Sequence, residues 1–199
     1  MDYLKLIEDV RKYTEQSVKK SRFEHSVRVA EMTARLCRHY GLDEIKGYLA
    51  GIGHDMCKEL PSEEMKALAL KDGAGLSEYE QKTVSLLHGR AAAVLMQEKF
   101  GIEDKDVIEA VANHVSAKLG ICDLGKCLFL ADKREPARPQ STDEYRANLF
   151  KLSLNGMFYS VLNENYEYLT GRGVEVSPDT LNMLEYYREI VRNEEKNQE

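Results

Sequence analysis

The spacing of apolar residues is the feature that most restricts how this chain can fold. Apolar side chains recur every three or four residues from Leu4 onward, as they do on one face of an amphipathic α-helix. No segment shows the sustained two-residue alternation of a half-buried β-strand. The sequence therefore predicts an all-α fold, and a chain of 199 residues is the size of one ordinary domain.

Polar residues mark where several predicted helices begin. Asp43, Asp104 and Ser177 stand at expected N-cap positions, and Ser77 with Glu80 has the spacing of a capping box. Side-chain oxygens at these positions accept hydrogen bonds from the first free backbone N–H groups of a helix. The sequence thus predicts a series of separately capped helices.

The later part of the chain contains two longer predicted helices. One is predicted over 121–132, followed by a chain break at Pro136, and the next is predicted over 143–168. We expect a single helical bundle over 1–192 and a frayed tail over 193–199.

Charge and composition argue against several classes of function. The formal net charge is -6, the basic residues are dispersed and Trp is absent, so no nucleic-acid partner is expected. No apolar run approaches the ~18 residues of a membrane helix, and no membrane partner is expected. The first residues lack the apolar core of a secretory signal, and the four cysteines lack zinc-ribbon or disulfide-framework spacing. We expect a cytoplasmic protein whose reduced cysteines pack as small apolar residues.

Several histidines occupy positions where the helical pattern favours apolar side chains. His25 lies four residues before Val29, His114 lies three residues after Val111, and His88 precedes a run of alanines. A single histidine on such a face is more often a hydrogen-bonded core residue than a ligand. Three of them in one small domain favour a shared site.

Two aspartates extend this set. Asp55 follows His54 directly at the end of a predicted helix, and Asp132 ends an apolar helical run. Because burial of an unpaired carboxylate is costly, two carboxylates among four imidazoles need a common cation. Carboxylate and neutral imidazole are ligands of divalent transition metals. The six residues together predict a metal centre.

The order His25, His54-Asp55, Asp132 resembles the signature of HD-domain phosphohydrolases. The segments around these residues resemble the YqeK family of that superfamily, and the similarity runs from about residue 3 to residue 190. It is carried by Arg22–Ser26, Ala50–Pro61, Leu87–Gly89, Phe129–Asp132, Glu135–Arg138 and Val176–Thr180. That family comprises bacterial symmetrical diadenosine tetraphosphate hydrolases, which cut the dinucleotide into two ADP molecules and hold iron.

The resemblance assigns roles to residues of this chain by position. It implies a metal site of His25, His54, Asp55 and Asp132, holding one or two iron ions for which manganese or cobalt can substitute. It implies phosphate contacts from Arg22, Lys58, His88, His114 and Arg138. It implies nucleotide contacts from Val115, Val176, Ser177, Pro178, Asp179, Thr180 and Leu181.

Three of these residues are also candidates for proton transfer during phosphoanhydride hydrolysis. Asp55 is placed to accept a proton from the attacking water, and His88 or His114 to act as the acid toward the leaving group. The two histidines can instead bind a second metal ion together with Asp55. Both uses stay open at this point.

The chain departs from the family pattern at two places. Val115-Ser116 stand where many members have two threonines, and Lys133-Arg134 follow Asp132 where an aromatic residue is common. Both places adjoin predicted substrate contacts, whereas the predicted metal ligands are all present.

Two other functions compete with the dinucleotide hydrolase. One is another phosphohydrolase of the superfamily, either a nucleotidase or a cyclic-nucleotide phosphodiesterase. The other is a non-catalytic nucleotide-binding sensor. A homodimer is also possible, because the apolar, Tyr-rich stretch 149–168 can pack between subunits or within one.

Overall fold

The computed structural model describes residues 2–197, apart from the side chain of Pro178. This part of the chain forms eleven α-helices and contains no β-strand, so the predicted all-α class is confirmed. The first six helices are α1 (Tyr3–Ser17), α2 (Lys20–His39), α3 (Glu44–Gly53), α4 (Ser62–Ala69), α5 (Glu78–Lys82) and α6 (His88–Phe100). The others are α7 (Lys105–Asn113), α8 (Asp123–Arg134), α9 (Asp143–Leu149), α10 (Leu154–Gly171) and α11 (Pro178–Lys196).

The predicted helix caps are confirmed. Asp43 accepts hydrogen bonds from the first N–H groups of α3, and Asp104 does the same for α7. Ser77 and Glu80 form both halves of a capping box at the start of α5. Ser177 caps α11 through its hydroxyl group. Local hydrogen bonding therefore fixes several of the helix starts that lead into the core.

Three predicted boundaries differ from the structure. The helix predicted over 143–168 is two helices, because Ser153 accepts a hydrogen bond from the Gly156 N–H and caps a new start. The helix predicted over 121–132 lies two residues later, with Cys122 as its N-cap. Residues 193–196 are helical rather than frayed, and the end of the predicted tail, Gln198 and Glu199, lies outside the described residues.

Helices α2 and α3 cross at backbone contact. A Cβ atom added at Gly51 would lie 2.4 Å from the Cα atom of Ala30, so only glycine fits at this crossing. Val29, Ala30, Leu49 and Ile52 are fully buried around it. The crossing fixes the distance between the part of α2 that carries His25 and the end of α3.

Helix α8 runs through the centre of the core. Leu128, Phe129 and Ala131 are almost completely buried, and α8 packs against α2, α7 and α10. The Phe129 ring lies 5.3 Å from that of Phe158 in α10, which lies 4.8 Å from the ring of Tyr187 in α11. The stretch 149–168 thus contributes its buried aromatic residue to the core of its own chain.

All four cysteines are free, and Cys37, Cys57 and Cys127 are buried. Within residues 2–197, none of the helices has the length and apolar character required to cross a lipid bilayer.

Candidate metal centre

Five helices bring the six predicted ligand residues to one place in the core. His25 lies in the second turn of α2, His54 and Asp55 follow the last residue of α3, and His88 begins α6. His114 follows α7, and Asp132 lies near the end of α8. The five residues other than Asp132 are buried, and 14% of the Asp132 side chain is exposed. Helix ends supply most of these residues, so the site lies at one end of the bundle.

The four histidines share one orientation. Each imidazole turns Nδ1 outward to an oxygen acceptor and Nε2 inward, an assignment that follows from the hydrogen-bond network. The acceptors are the carbonyl oxygens of Gly51 for His54 (2.6 Å), Ser85 for His88 (2.6 Å) and Val111 for His114 (2.8 Å), and the Glu135 carboxylate for His25 (3.2 Å). With the proton on Nδ1, each Nε2 presents a lone pair to the centre of the site.

Asp55 is the residue common to two groups of ligand atoms. Its Oδ1 lies 3.1 Å from His88 Nε2 and 3.7 Å from His114 Nε2. Its Oδ2 lies 3.5 Å from His54 Nε2 and 3.9 Å from His25 Nε2. The atoms of His25, His54 and Asp55 lie within 4.8 Å of one another, and so do those of Asp55, His88 and His114. The site therefore contains two ligand triads that share one carboxylate.

The charge states of these residues suit a cation. Burial lowers the pKa of His54 to about 3, so this imidazole is neutral. Burial opposes ionisation of Asp55 and Asp132, but the imidazoles around Asp55 and Lys133 beside Asp132 hold both pKa values well below the usual range. Two ionised carboxylates therefore face the neutral His54 imidazole and three other buried histidines. A cation between them would be bound by both kinds of ligand atom.

His54 provides the sharpest test of fit. Its Nε2 is buried and has no hydrogen-bond partner among the described residues, whereas its Nδ1 is satisfied by Gly51. A buried polar atom without a partner is destabilising unless a ligand occupies it. The donor set, four imidazoles and two carboxylates, is one that iron, manganese or cobalt accepts. The residues present therefore fit a divalent metal.

Glu135 belongs to the site, although we did not predict a role for it from the sequence. It is 2% exposed and accepts hydrogen bonds from Arg28 (2.8 and 3.2 Å) and from the Ala137 N–H, as well as facing His25. Its spacing from Asp132, three residues along the chain at the end of α8, is the sequence signal that points to it.

The predicted phosphate contacts lie around the two triads. Arg22 donates to Asp55 Oδ2 at 2.9 Å, and Arg138 donates to Asp132 Oδ1 at 2.9 Å. Lys58 Nζ lies 3.2 Å from His88 Nε2, and its burial lowers its pKa. Lys133, one of the departures from the family pattern, donates to Asp132 Oδ2 at 2.7 Å. Cationic side chains therefore contact both carboxylates of the site.

Two clefts are lined by residues next to His114 in the chain. A cleft of about 460 Å³, here called the wide cleft, is lined by Val115, Ser177 and Asp179 among others. A narrower cleft beside it is lined by Val115, Val176, Ser177 and Thr180. Most of the predicted nucleotide contacts therefore line these two clefts.

Two predicted nucleotide contacts are not placed there. Leu181 is 53% exposed and lines neither of the two clefts beside His114, because it lies on the outer face of α11. The side chain of Pro178 lies outside the described residues.

A third cleft adjoins His25. It has a volume of about 320 Å³ and is lined by Arg22, Arg28, Arg138, Ser21 and Pro139, with His25 and Glu135 behind them. We call it the arginine cleft. It lies next to the ligand triad that contains His25.

Comparison with known proteins agrees with this geometry. The HD domain family matches residues 22–137, more than half of the chain. A crystal structure of a Clostridium acetobutylicum protein, described as a predicted HD superfamily hydrolase involved in NAD metabolism, superposes with a TM-score of 0.84. It is 25% identical, and the match covers 92% of this chain and 96% of that one. The whole fold is therefore shared with an HD superfamily protein.

Curated bacterial proteins are similar over most of their length. The symmetrical bis(5'-nucleosyl)-tetraphosphatase of Halalkalibacterium halodurans is 32% identical over 160 residues, which are 80% of this chain and 85% of that protein. The enzyme of the same name from Staphylococcus aureus is 29% identical over 185 residues, covering 91% and 94%. The chain therefore belongs to the HD domain family of metal-dependent hydrolases, and within it to the YqeK-type proteins.

Proposed function

We propose that this protein is a symmetrical dinucleoside tetraphosphatase that hydrolyses diadenosine tetraphosphate to two ADP molecules. The observation that carries the proposal is the pair of ligand triads sharing Asp55, set between clefts and bordered by Arg22, Lys58 and Arg138. Similarity to curated enzymes of this activity supports it. A net charge of -6 makes such a local cationic site necessary for a polyanionic substrate.

The metal is proposed to be iron, with manganese or cobalt as substitutes. His25, His54, Asp55 and Asp132 would hold one ion, and His88 and His114 would hold a second together with Asp55. A bound divalent metal lowers the pKa of a coordinated water and neutralises phosphate oxygens. Two ions are supported by the position of Asp55, whose two oxygens face different pairs of histidines.

The hydrogen bonds of His88 and His114 support their assignment to metal binding. Each already donates its Nδ1 proton to a backbone carbonyl, which leaves Nε2 as a lone pair facing Asp55. An imidazole held in this way by its Nδ1 proton directs Nε2 toward the site as a metal ligand. We therefore favour a ligand role over the acid role, and proton acceptance by Asp55 stays a prediction.

The cationic side chains are proposed to bind the phosphates. Arg22, Arg138 and Lys58 neutralise the two diphosphates, and a guanidinium group can do so with two parallel hydrogen bonds. Val115 and the residues from Val176 to Thr180 would hold one nucleoside in the clefts beside His114. Their apolar and hydroxyl groups suit a purine nucleoside better than a phosphate.

One experiment tests activity and cleavage position together. The protein is purified without oxygen, its metal content is measured, and diadenosine tetraphosphate is added. ADP as the only product, lost on treatment with a chelator, is the expected result.

Other outcomes select the alternatives. ATP plus AMP would overturn the symmetrical cleavage, and turnover of mononucleotides or cyclic nucleotides alone would favour another phosphohydrolase. Bound metal with no turnover of any nucleotide would favour a binding sensor. A cytoplasmic location and a possible homodimer stay predictions from the sequence.

A further inference from the structure

The metal centre lies between two clefts of different chemistry. His25 itself lines the arginine cleft, while Asn113 and Val115, which flank His114, line the wide cleft. His25 and His114 belong to different ligand triads, and Asp55 joins the triads. The arginine cleft therefore lies beside the triad that contains His25, and the wide cleft lies beside the triad that contains His114.

The arginines of the arginine cleft have N–H donors that the neighbouring carboxylates do not engage. The side chains of Arg22, Arg28 and Arg138 are 35%, 33% and 35% exposed. Each binds one carboxylate: Arg22 binds Asp55 (2.9 Å), Arg28 binds Glu135 (2.8 Å) and Arg138 binds Asp132 (2.9 Å). A guanidinium group has five N–H donors, so each arginine keeps donors for a ligand in the cleft. Two of the three carboxylates are proposed metal ligands, whose negative charge a bound metal would neutralise further.

The other lining residues of this cleft are small. Ser21, Ala137 and Pro139 are exposed, and among the residues that the structure describes, no Phe or Tyr lines the cleft. The wide cleft differs, since Tyr79, Leu86 and Met183 line it. A purine base therefore finds packing partners beside His114, whereas the arginine cleft offers mainly charge.

We infer that the arginine cleft is a second diphosphate subsite, which binds the distal half of the substrate through its phosphates and does not read the second nucleoside. This inference rests on the proposed function. The phosphoanhydride bridge between the two central phosphorus atoms then lies at the metal centre. Water adds its hydroxyl group to one phosphorus, and the bridging oxygen leaves with the other diphosphate and takes up a proton. A single nucleoside and four phosphates are sufficient to fill both subsites.

The first test uses a substrate that lacks the second nucleoside. Adenosine tetraphosphate should be cut to ADP and inorganic pyrophosphate. Its KM should stay within about tenfold of the value for diadenosine tetraphosphate, because the missing nucleoside contributes little uniform binding. Release of ATP and phosphate, or no cleavage, would overturn the inference.

The second test places a negative charge in the arginine cleft without removing a described contact. Ser21 lies in the first turn of α2, where a glutamate is well tolerated. Ser21→Glu should raise the KM for both substrates at least about threefold, through repulsion of the phosphates at short range. It should also weaken binding of inorganic pyrophosphate to the manganese-loaded protein, measured by calorimetry.

Gln97→Glu is the matched control. It adds the same charge on the exposed end of α6, nine residues beyond His88 and thus about 13 Å along the helix axis. The control should leave both KM values and pyrophosphate binding unchanged. Equal behaviour of Ser21→Glu and Gln97→Glu would overturn the subsite, even if wild-type protein cuts diadenosine tetraphosphate. Failure of wild-type protein to form ADP from that dinucleotide would instead refute the proposed function.

Discussion

Glu135 Oε1 lies 3.2 Å from Nδ1 of His25, so His25 is the one site histidine whose outer nitrogen faces a carboxylate. The other three face backbone carbonyl oxygens. A carboxylate behind a ligand imidazole fixes its orientation and makes Nε2 a stronger donor to a metal. Glu135 is itself held by Arg28. This relationship gives a first prediction about metal affinity.

Glu135→Gln keeps the size of the side chain and removes its charge. We expect metal affinity to fall about 10- to 100-fold, the usual effect of losing such a partner. The affinity is measured by titrating metal-free protein with cobalt and following the absorbance of the bound ion. Glu164→Gln is the control, because Glu164 pairs with Arg134 at 2.8 Å and contacts no site histidine. Equal affinities in the two variants would contradict the positioning role of Glu135.

Asp55→Asn should remove metal from both triads. His88→Asn should affect only the triad of Asp55, His88 and His114 and should retain about half of the metal, if each triad binds one ion. Metal analysis of the gel-filtered variants, prepared without oxygen, measures the retained amount. An identical loss in both variants would show that the histidines do not hold a separate ion.

Arg90→Met should destabilise the protein in a pH-dependent manner. Arg90 donates to Asp72 at 2.7 Å and to Glu80 at 2.8 Å beside the wide cleft. Burial opposes ionisation of both carboxyl groups, but Arg90 and backbone N–H groups hold their pKa values below the usual 3.8 and 4.5. A carboxyl group whose pKa is lowered in the folded protein stabilises the fold at pH values above its ordinary pKa. This contribution is lost as the pH falls through the lowered pKa.

We therefore expect Arg90→Met to lower the free energy of unfolding by about 1–2 kcal/mol at pH 7. The difference from wild type should shrink as the pH falls below about 4. Urea unfolding at several pH values measures this difference in the free energy of unfolding. A difference that stays constant down to pH 3 would show that packing, not the ion pairs, is responsible.

Phe158→Ala tests the core independently of the site. Phe158 is fully buried between Phe129 and Tyr187, and its truncation should cost about 3–5 kcal/mol. Metal content per folded molecule should remain unchanged, because no atom of Phe158 belongs to the site. Loss of metal at temperatures where the variant is still folded would contradict the separation of core and site.

The sequence predicted the fold class, and it singled out the histidines and aspartates that the structure brings together, because both inferences depend on local spacing. His25 and His114 could be placed on buried helix faces by counting residues from Val29 and Val111. The caps at Asp43 and Asp104 were predictable for the same reason, since a cap is a contact within four residues.

Most features that the sequence did not predict depend on contacts between residues that are far apart in the chain. The pairing of Glu135 with His25 joins positions 110 residues apart, so the spacing of Glu135 from Asp132 cannot show which histidine it contacts. The break between α9 and α10 was missed because Ser153 interrupts a pattern that otherwise continues with helical periodicity. The arginine cleft is assembled from the start of α2 and the segment after α8, so only the fold reveals it.

The contact between Gly51 and Ala30 has a consequence for how this family can change over time. Because the two helices touch through their backbones, no exchange of side chains can bring His25 and His54 closer, and a side chain at Gly51 would force the helices apart. Substitutions elsewhere in the core can be compensated by neighbours of complementary volume. A larger residue at Gly51 cannot be compensated in this way, because it would meet the backbone of Ala30. Selection for hydrolysis is therefore expected to preserve this glycine as strictly as a ligand, although it touches neither metal nor substrate.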